Sequence, residues 1–272
     1  MTRTDGAARL RAAFKSAADA DRAAFVAYVM SGFPTENDAT EAGSAALRCG
    51  ADILEIGVPF SDPMADGPVI AEAGRVALAG GGGFDSAVRM LAALRSRGHE
   101  QPILAMTYLN PLLALGDGVA LQRLAEAGAD GVIVPDLPAS EMPRFERAAA
   151  SRSLALSFLV APNTAPSRLE AAIRASTGFL YVVPLYGVTG ARETLAADAV
   201  ELLGRINAAA AGRAPVAAGF GLSSVEQVHE LAAVADGVVV GSALVAAMRD
   251  GGADALGVLV ARLSTGVLRA AT

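Results

Sequence analysis

The chain has 272 residues, of which 53% are hydrophobic and 18% charged, and its formal net charge is −6. A net negative charge argues against nucleic acid and anionic membrane surfaces as partners, and no apolar run reaches the roughly 18 residues of a membrane span. Cys49 is the only cysteine, which excludes an internal disulfide and favours a cytoplasmic location.

Two residue types that are common in catalysis are scarce. Lys15 is the only lysine and lies in a predicted amphipathic N-terminal helix, while His99 and His229 are the only histidines. A Schiff-base aldolase needs a buried lysine on a strand. A Ser–His hydrolase and a histidine-built metal site both need histidines in the site. We interpret both histidines of this chain as structural or solvent-facing, so these two functions are improbable. Acid–base chemistry therefore falls to carboxylates and tyrosines.

Eight short apolar runs alternate with helical stretches along the chain. The runs predicted as strands are Phe25–Met30, Ile53–Val58, Ile103–Thr107, Gly131–Pro135, Leu154–Ala161, Gly178–Pro184, Ala214–Ala218 and Gly237–Val240. A period near 3.6 predicts helices at Ala87–Arg95, Val119–Ala127, Pro166–Ala175, Ala199–Ala209 and Val225–Ala233. Continuous apolar runs are typical of strands that are covered on both faces, as in a parallel sheet.

The order and number of these elements predict an α/β fold, a (β/α)8 barrel. Eight strand-then-helix units in about 250 residues are the size and count of that fold, and a doubly wound open sheet is the alternative. No linker or shift in composition indicates a second domain, so residues 1–272 are expected to form one barrel domain with a helix before the first strand. Gly80–Gly83 is interpreted as a connector between two helices. Ser223 and Glu226 have the spacing of a capping box at a helix start.

Glu55 is the one carboxylate within the apolar run Ile53–Val58. Strand alternation puts it on the face opposite Leu54 and Ile56. That aliphatic face suits packing against helices, so Glu55 is expected to point into the barrel. A buried ion pair is the alternative, although no predicted strand offers an arginine or a lysine. An unpaired glutamate there would have a raised pKa, which suits an acid–base group that works near neutrality.

Asp66 lies on the loop after this strand, which three prolines stiffen. Loops at the carboxyl ends of barrel strands carry the catalytic groups of such enzymes. Asp66 is therefore the candidate second acid, and a turn-capping role is the alternative. Asp62 on the same loop is interpreted as local turn chemistry.

Glycine-rich segments follow the last three predicted strands: Gly187–Gly190, Gly219–Ser223 and Gly241–Ser242. Glycines let backbone N–H groups approach a phosphate at a helix N-terminus, and the helix dipole favours the anion without any lysine. In barrels this site is usually formed by the loops after strands seven and eight. The segments therefore predict a phosphate site, although glycines also end strands for purely structural reasons.

Aromatic residues lie near the expected mouth of the barrel, where Tyr108 and Tyr181 end or occupy strands and Phe220 lies in a glycine turn. Core packing and contact with a flat aromatic substrate explain these three residues equally well.

Taken in order, these motifs resemble the tryptophan synthase alpha subunit family over nearly the whole chain. The segment Glu55–Pro68 is the specific match, and the supporting matches are Tyr108–Pro111, Val134–Pro138, Gly187–Gly190, Gly219–Gly221 and Gly241–Ser242. The resemblance implies a (β/α)8 barrel that acts in tryptophan biosynthesis. It implies a lyase that splits indole-3-glycerol phosphate into indole and glyceraldehyde 3-phosphate by retro-aldol cleavage.

The resemblance also implies roles for individual residues, and it gives Glu55 and Asp66 the catalytic ones. The other matched positions are an indole pocket of Tyr28, Tyr108, Tyr181 and Phe220, a phosphate site of Gly190, Gly221, Gly241 and Ser242, and a mobile loop with Thr189. It implies neither a cofactor nor a metal in this chain. The implied partner is the beta subunit, which holds pyridoxal phosphate, in an α2β2 complex.

Three positions depart from the family pattern: Phe33, Gly74 and Pro184. They concern the mobile loop and subunit coupling rather than the two carboxylates. Three other functions are the alternatives. They are a free-standing lyase that releases indole, a barrel that only binds a phosphorylated ligand, and a phosphosugar isomerase. The isomerase would need a catalytic His, Lys or Cys on a strand, and no predicted strand contains one.

Overall fold

The computed structural model describes residues 5–183, 197–219 and 221–269. Nine strands are present there: β1 Ala24–Met30, β2 Ile53–Gly57, β3 Ile103–Met106, β4 Gly131–Ile133, β5 Ala155–Ser157, β6 Leu159–Val160, β7 Leu180–Val182, β8 Val216–Ala218 and β9 Gly237–Val240. All pairs are parallel, in the order β5-β4-β3-β2-β1-β9-β8-β7-β6. Each of the eight predicted runs overlaps an observed strand, and only β1 extends beyond its run, by one residue at Ala24.

The nine strands form an eight-membered barrel because β5 and β6 are two halves of one strand interrupted at Phe158. β5 pairs with β4 on one side, and β6 pairs with β7 on the other, so the chain itself closes the sheet. At the interruption, the Phe158 carbonyl accepts a hydrogen bond from Tyr181 N at 2.9 Å. The Phe158 N–H donates to Ser176 Oγ at 3.2 Å. The predicted (β/α)8 barrel is confirmed.

Helices connect the strands and cover the outside of the barrel. They are α1 Gly6–Asp19, α2 Glu36–Arg48, α3 Pro68–Ala79, α4 Phe84–Ser96, α5 Leu109–Leu115, α6 Asp117–Glu126, α7 Pro143–Ala150, α8 Pro166–Ala175, α9 Ala197–Ala210, α10 Val225–Ala232 and α11 Ser242–Leu263, with a 3-10 turn at Ser264–Val267. The five predicted helical segments correspond to α4, α6, α8, α9 and α10. In the described part of the chain, no helix combines the length and apolar character of a membrane span.

Two predictions about connections have different outcomes. Gly80–Gly83 joins α3 to α4, as expected. The predicted capping box begins one residue too early, because Ser224 rather than Ser223 caps α10. The backbone of Ser224 is extended, so its hydroxyl accepts from Gln227 N, and the Gln227 side chain returns to the cap. Glu226 instead lies in the first turn of the helix.

The barrel interior is apolar over most of its depth. Its inward side chains include Ala24, Val26, Ile53, Leu104, Ile133, Ala155, Phe179, Ala217 and Val239. Helix α1 closes the amino-terminal end, where Phe14 lies 5.6 Å from Phe179 between ring centroids. The outward residues of the strands pack against the helices in a second, larger cluster. The carboxyl-terminal end is therefore the end that remains for a site.

Asp130 anchors the closed end of the barrel just before β4. It is 3% exposed. One carboxylate oxygen lies 2.7 Å from Arg9 Nε of α1, and the other lies 2.5 Å from Arg95 Nη2 of α4. The second oxygen also accepts a hydrogen bond from Ile103 N at 2.9 Å. One buried carboxylate thus fastens two helices to the strands at the amino-terminal face.

Candidate active site

Glu55 lies in the middle of β2 and faces the barrel interior, as the strand alternation predicts. Ile53, two residues earlier, packs with the interior side chains, whereas Leu54 and Ile56 pack in the outer cluster. The Glu55 Cα is paired in register with that of Tyr28 in β1. Both side chains therefore lie in the barrel layer that adjoins the open end.

The Glu55 carboxyl is fully buried, with 0% exposure. Within the described ranges, neither of its oxygens has a hydrogen-bond partner, so the ion-pair alternative does not apply there. Burial, together with the nearby Asp66 carboxylate, raises the pKa of Glu55 to about 8. Desolvation disfavours the charged form, and Glu55 is consequently a neutral carboxylic acid at pH 7.

Asp66 lies on the loop between β2 and α3 and is partly buried. Its N–H donates to the Pro63 carbonyl at 3.2 Å, which closes a turn of the proline-containing loop. Burial raises the pKa of Asp66 to about 6, and a hydrogen bond from the Tyr108 hydroxyl opposes that rise. Asp66 is therefore mainly ionised at neutral pH, in contrast to Glu55.

Tyr108, at the end of β3, fastens the loop that carries Asp66. Its hydroxyl accepts a hydrogen bond from Ala65 N at 2.9 Å. Its ring lies 5.2 Å from the Phe60 ring between centroids, with an interplanar angle of 30°. The sequence places Tyr108 near the mouth of the barrel, but no local pattern signals these contacts. The bond from Ala65 joins residues that are 43 positions apart in the chain.

Tyr28 and Tyr181 line the space around the two carboxylates, and glycines make room for their hydroxyls. A Cβ built on Gly57 would lie 2.0 Å from the Tyr28 hydroxyl oxygen, and one on Gly219 would lie 3.3 Å from that of Tyr181. Burial raises the pKa of both tyrosines well above its usual value, and the two carboxylates add to the rise. Both side chains are neutral phenols that can donate hydrogen bonds.

Two of the predicted glycine segments come together at the same end of the barrel, after the adjacent strands β8 and β9. Gly221 adopts a left-handed backbone with φ +69° and has open space where a side chain would be. Gly241 is the N-cap of α11, and Ser242 is its first helical residue. The first N–H groups of a helix have no acceptor within the helix, so the start of α11 suits an anion.

The remaining predicted positions are divided between described and undescribed parts of the chain. Thr189, Gly190 and Phe220, and the departure at Pro184, lie outside the described residues. Asp62 is exposed and accepts a hydrogen bond from the Ser61 hydroxyl, as expected of local turn chemistry.

Neither histidine lies at this end of the barrel interior. His99 precedes β3, with its Nε2 2.7 Å from Ser44 Oγ, and His229 is exposed on α10. No group of three or more His, Cys, Asp or Glu side chains within the described ranges could hold a metal ion. The titratable groups that surround Glu55 and Asp66 are tyrosines.

Two carboxyl groups with unlike ionisation thus meet at the carboxyl-terminal mouth of a parallel barrel. One can donate a proton at neutral pH, and the other can stabilise positive charge. Pairs of titratable groups whose surroundings separate their pKa values mark acid–base sites. The fold and this pair define a (β/α)8-barrel protein whose mouth carries two carboxyl groups suited to acid–base chemistry.

Comparisons with known proteins identify the particular family. The sequence model described as "Tryptophan synthase alpha chain" matches residues 14–265. The tryptophan synthase alpha chain of Deinococcus radiodurans is 43% identical over 253 residues, which cover 91% of this chain and 92% of that one. The alpha chain of Streptomyces coelicolor is 43% identical over 256 residues, or 90% and 92% of the two chains.

Solved structures agree with the sequence relatives. A structure of Mycobacterium tuberculosis tryptophan synthase superposes on this chain with a TM-score of 0.89 at 39% identity. The match covers 96% of this chain and 99% of the other. This chain belongs to the tryptophan synthase alpha chain family.

Proposed function

We propose that this chain, as the alpha subunit of tryptophan synthase, is a carbon–carbon lyase that cleaves indole-3-glycerol phosphate to indole and glyceraldehyde 3-phosphate. The observation that carries the proposal is a fully buried glutamate that has no described hydrogen-bond partner and lies near a mainly ionised aspartate at the barrel mouth. Membership of the family indicates which substrate is expected. The two carboxyl groups supply the acid and the negative charge that a retro-aldol cleavage needs.

Glu55 is assigned both proton transfers. Its protonated carboxyl gives a proton to C3 of the indole ring, which leaves positive charge on the ring nitrogen. The hydroxyl on the side-chain carbon bonded to C3 then loses its proton to the Glu55 carboxylate. That carbon becomes the aldehyde carbon, and the electrons of the broken C–C bond return to the ring to restore indole. A pKa of about 8 keeps the acid form available at neutral pH.

Asp66 is assigned the stabilisation of the positive charge that develops on the indole nitrogen. Its carboxylate accepts the hydrogen bond of the indole N–H and stabilises the positive charge that follows protonation at C3. A fixed carboxylate in a partly buried site does this more effectively than water, because it does not have to reorient. The ionised state of Asp66 at pH 7 supports this role.

The other groups are assigned to binding the two ends of the substrate. The tyrosine walls formed by Tyr28, Tyr108 and Tyr181, with Phe220, hold the flat ring. The amides near Gly221 and Gly241, with Ser242 and Gly190, hold the phosphate. Thr189 belongs to the loop proposed to close over the site. A phosphate held by backbone amides agrees with a chain that has a single lysine.

A tryptophan synthase beta chain is the proposed partner, in an α2β2 complex in the cytoplasm. The beta chain contains the pyridoxal phosphate, and this chain works without a cofactor. A steady-state assay on indole-3-glycerol phosphate, with and without a beta chain, tests this assignment. Slow cleavage by the isolated chain that accelerates on addition of the beta chain supports it. Full activity of the isolated chain would instead identify a free-standing lyase.

Asp66→Asn tests the site itself. The asparagine fills the same space but cannot carry the charge, so this variant should bind substrate with near-normal affinity and turn over about 10²-fold more slowly or worse. Binding and single-turnover cleavage by the isolated chain measure the two effects separately. Asp62→Asn is the matched control, because among the described residues this exposed carboxylate on the same loop bonds only to its neighbour Ser61. Loss of binding alone in Asp66→Asn would point to a structural loop role.

A further inference from the structure

We propose that Asp136, on the loop after β4, is a positioning residue for the cleavage reaction. It fixes the start of α5 and thereby holds the Tyr108 hydroxyl against Asp66. The inference rests on the proposed function, because it presupposes that Asp66 takes part in catalysis. It adds a residue on a third strand end to the site formed by the ends of β2 and β3.

The first step is the hydrogen bond that Asp136 makes. Its Oδ1 accepts from Leu109 N at 2.9 Å. Leu109 is the first residue of α5, and Tyr108 is the N-cap, which has no side-chain capping bond of its own. The first N–H groups of a helix have no acceptor within the helix, and a carboxylate there is favoured by the helix dipole. Asp136, on the loop after β4, therefore supplies the side-chain acceptor that Tyr108 does not provide at the start of α5.

The second step is the contact between Tyr108 and the catalytic loop. The Tyr108 hydroxyl bonds both the Ala65 amide, at 2.9 Å, and the Asp66 carboxylate. Tyr108 is only 4% exposed and stacks on Phe60, so a shift of its backbone passes directly to that loop. A misplacement of about 1 Å can cost about 100-fold in rate. The bond between Asp136 and Leu109 is thus placed to set the geometry of Asp66.

The third step is the consequence for ionisation. The titratable groups that face Asp66 are Glu55 on β2, Tyr28 on β1, Tyr181 on β7 and Tyr108 after β3. Burial raises the pKa of Asp66, and the hydrogen bond from Tyr108 lowers it. If the Tyr108 hydroxyl moves away, the pKa of Asp66 rises further. More of the aspartate is then protonated at a given pH, and the acid limb of the rate profile moves to higher pH.

The test compares Asp136→Ala with Asp136→Asn in the full chain, saturated with a beta chain, by measuring kcat and KM for indole-3-glycerol phosphate from pH 5 to pH 9. Asp136→Ala should lower kcat by about threefold to tenfold and move the acid limb up by about half a pH unit, with little change in KM. Asp136→Asn keeps an oxygen that can accept the hydrogen bond from Leu109 N. In this variant the acid limb of the rate profile should stay at its wild-type pH.

Two further variants separate positioning from a general loss of stability. Asp5→Ala removes a comparable capping carboxylate, whose Oδ1 accepts from Ala7 N at the start of α1, and it should leave the limb unmoved. In a Tyr108→Phe background, Asp136→Ala should add no further shift, because the route through the hydroxyl is already broken.

An unmoved acid limb in Asp136→Ala overturns the inference, as does an equal shift in Asp136→Asn, which would trace the effect to charge rather than to the hydrogen bond. If Asp66→Asn is inactive in the same assay, either result refutes only the role of Asp136. If Asp66→Asn is fully active, the proposed function of the site is refuted first.

Discussion

Two buried acids at opposite ends of the barrel show how differently the same chemical group can be used. Glu55 and Asp130 are 0% and 3% exposed. Asp130 is held by Arg9, Arg95 and the Ile103 amide at the closed, amino-terminal end. Glu55 has no hydrogen-bond partner in the described part of the chain and lies towards the open, carboxyl-terminal end.

The difference separates a structural acid from the acid that is proposed to react. A buried charge is tolerated when it is paired and hydrogen-bonded, and removing one partner of such a group is costly. A buried acid without partners instead becomes neutral and keeps its proton, which is the property that a general acid needs. Barrel enzymes locate catalysis at the carboxyl-terminal face and stability at the other, and the role proposed for Glu55 and the contacts of Asp130 agree with that division.

The largest expected effect is on Glu55, the acid that is proposed to react. Glu55→Gln fills the same space without a proton to transfer, so kcat for cleavage should fall by about 10²–10⁴-fold. The folded structure should be retained, because no described hydrogen bond is lost. Steady-state kinetics and circular dichroism on the purified variant measure both. Near-normal cleavage by this variant would remove Glu55 from the mechanism.

The next effect is on the structural acid. Asp130→Ala leaves Arg95 partly buried without its carboxylate and leaves the Ile103 amide without its acceptor. The free energy of unfolding should therefore fall by about 3–5 kcal/mol. The kcat of the fraction that stays folded should change little, since Asp130 lies at the far end of the barrel. Urea unfolding and active-site titration provide the two values. A large loss of kcat with an unchanged free energy of unfolding would mean that Asp130 contributes to catalysis rather than to stability.

The pH dependence of stability sharpens the contrast. The pKa of Glu55 is about 8 in the folded state against an ordinary value of 4.5. Between these values the folded state binds one proton more than the unfolded state, so stability falls as pH rises, by up to about 1.4 kcal/mol per unit. Glu55→Gln lacks this contribution. Urea unfolding at pH 5 and pH 8 should show wild type losing stability relative to the variant, and parallel curves would contradict the raised pKa.

The smallest effect concerns one member of the structural cluster. Arg9→Gln removes one of the two cations at Asp130, but Arg95 and the Ile103 amide remain. The loss of unfolding free energy should be about 1 kcal/mol, well below that of Asp130→Ala. Thermal unfolding of the two variants side by side tests the ranking. Equal losses would mean that Asp130 stabilises the fold through Arg9 and that Arg95 and the Ile103 amide add little.

Much of the fold follows from local patterns. Continuous apolar runs predict the strands, because a strand that is buried on both faces does not alternate between apolar and polar residues. The alternation around Glu55 gives its direction, because successive side chains point to opposite faces of a strand. The interruption at Phe158 has no such signal in the run Leu154–Ala161, and it depends on hydrogen bonds to Ser176 and Tyr181. The predicted capping residue of α10 is one position too early, because Ser223 and Ser224 are adjacent and either hydroxyl could cap the helix.

The candidate site was predictable in its parts but not in its connections. Glu55 and Asp66 stand out as carboxylates in an apolar strand and on the stiff loop after it. The contact of Tyr108 with Asp66, and that of Asp136 with Leu109, join residues on different loops. Asp136 lies within the motif Val134–Pro138, but nothing in its local sequence distinguishes it from a turn residue.

The sequence alone determined which chemistry is open to this protein, because one lysine, two histidines and one cysteine leave carboxylates and tyrosines as its acid–base groups. It also determined the strands, most of the helices and the direction of Glu55. It further predicted a raised pKa for Glu55 if that residue is unpaired. Only the tertiary structure decided that Glu55 has no hydrogen-bond partner among the described residues, that Asp66 is mainly ionised, and that Asp130 is structural. The physical reason is that ionisation depends on the groups that surround a carboxyl in space, and those groups come from distant parts of the chain.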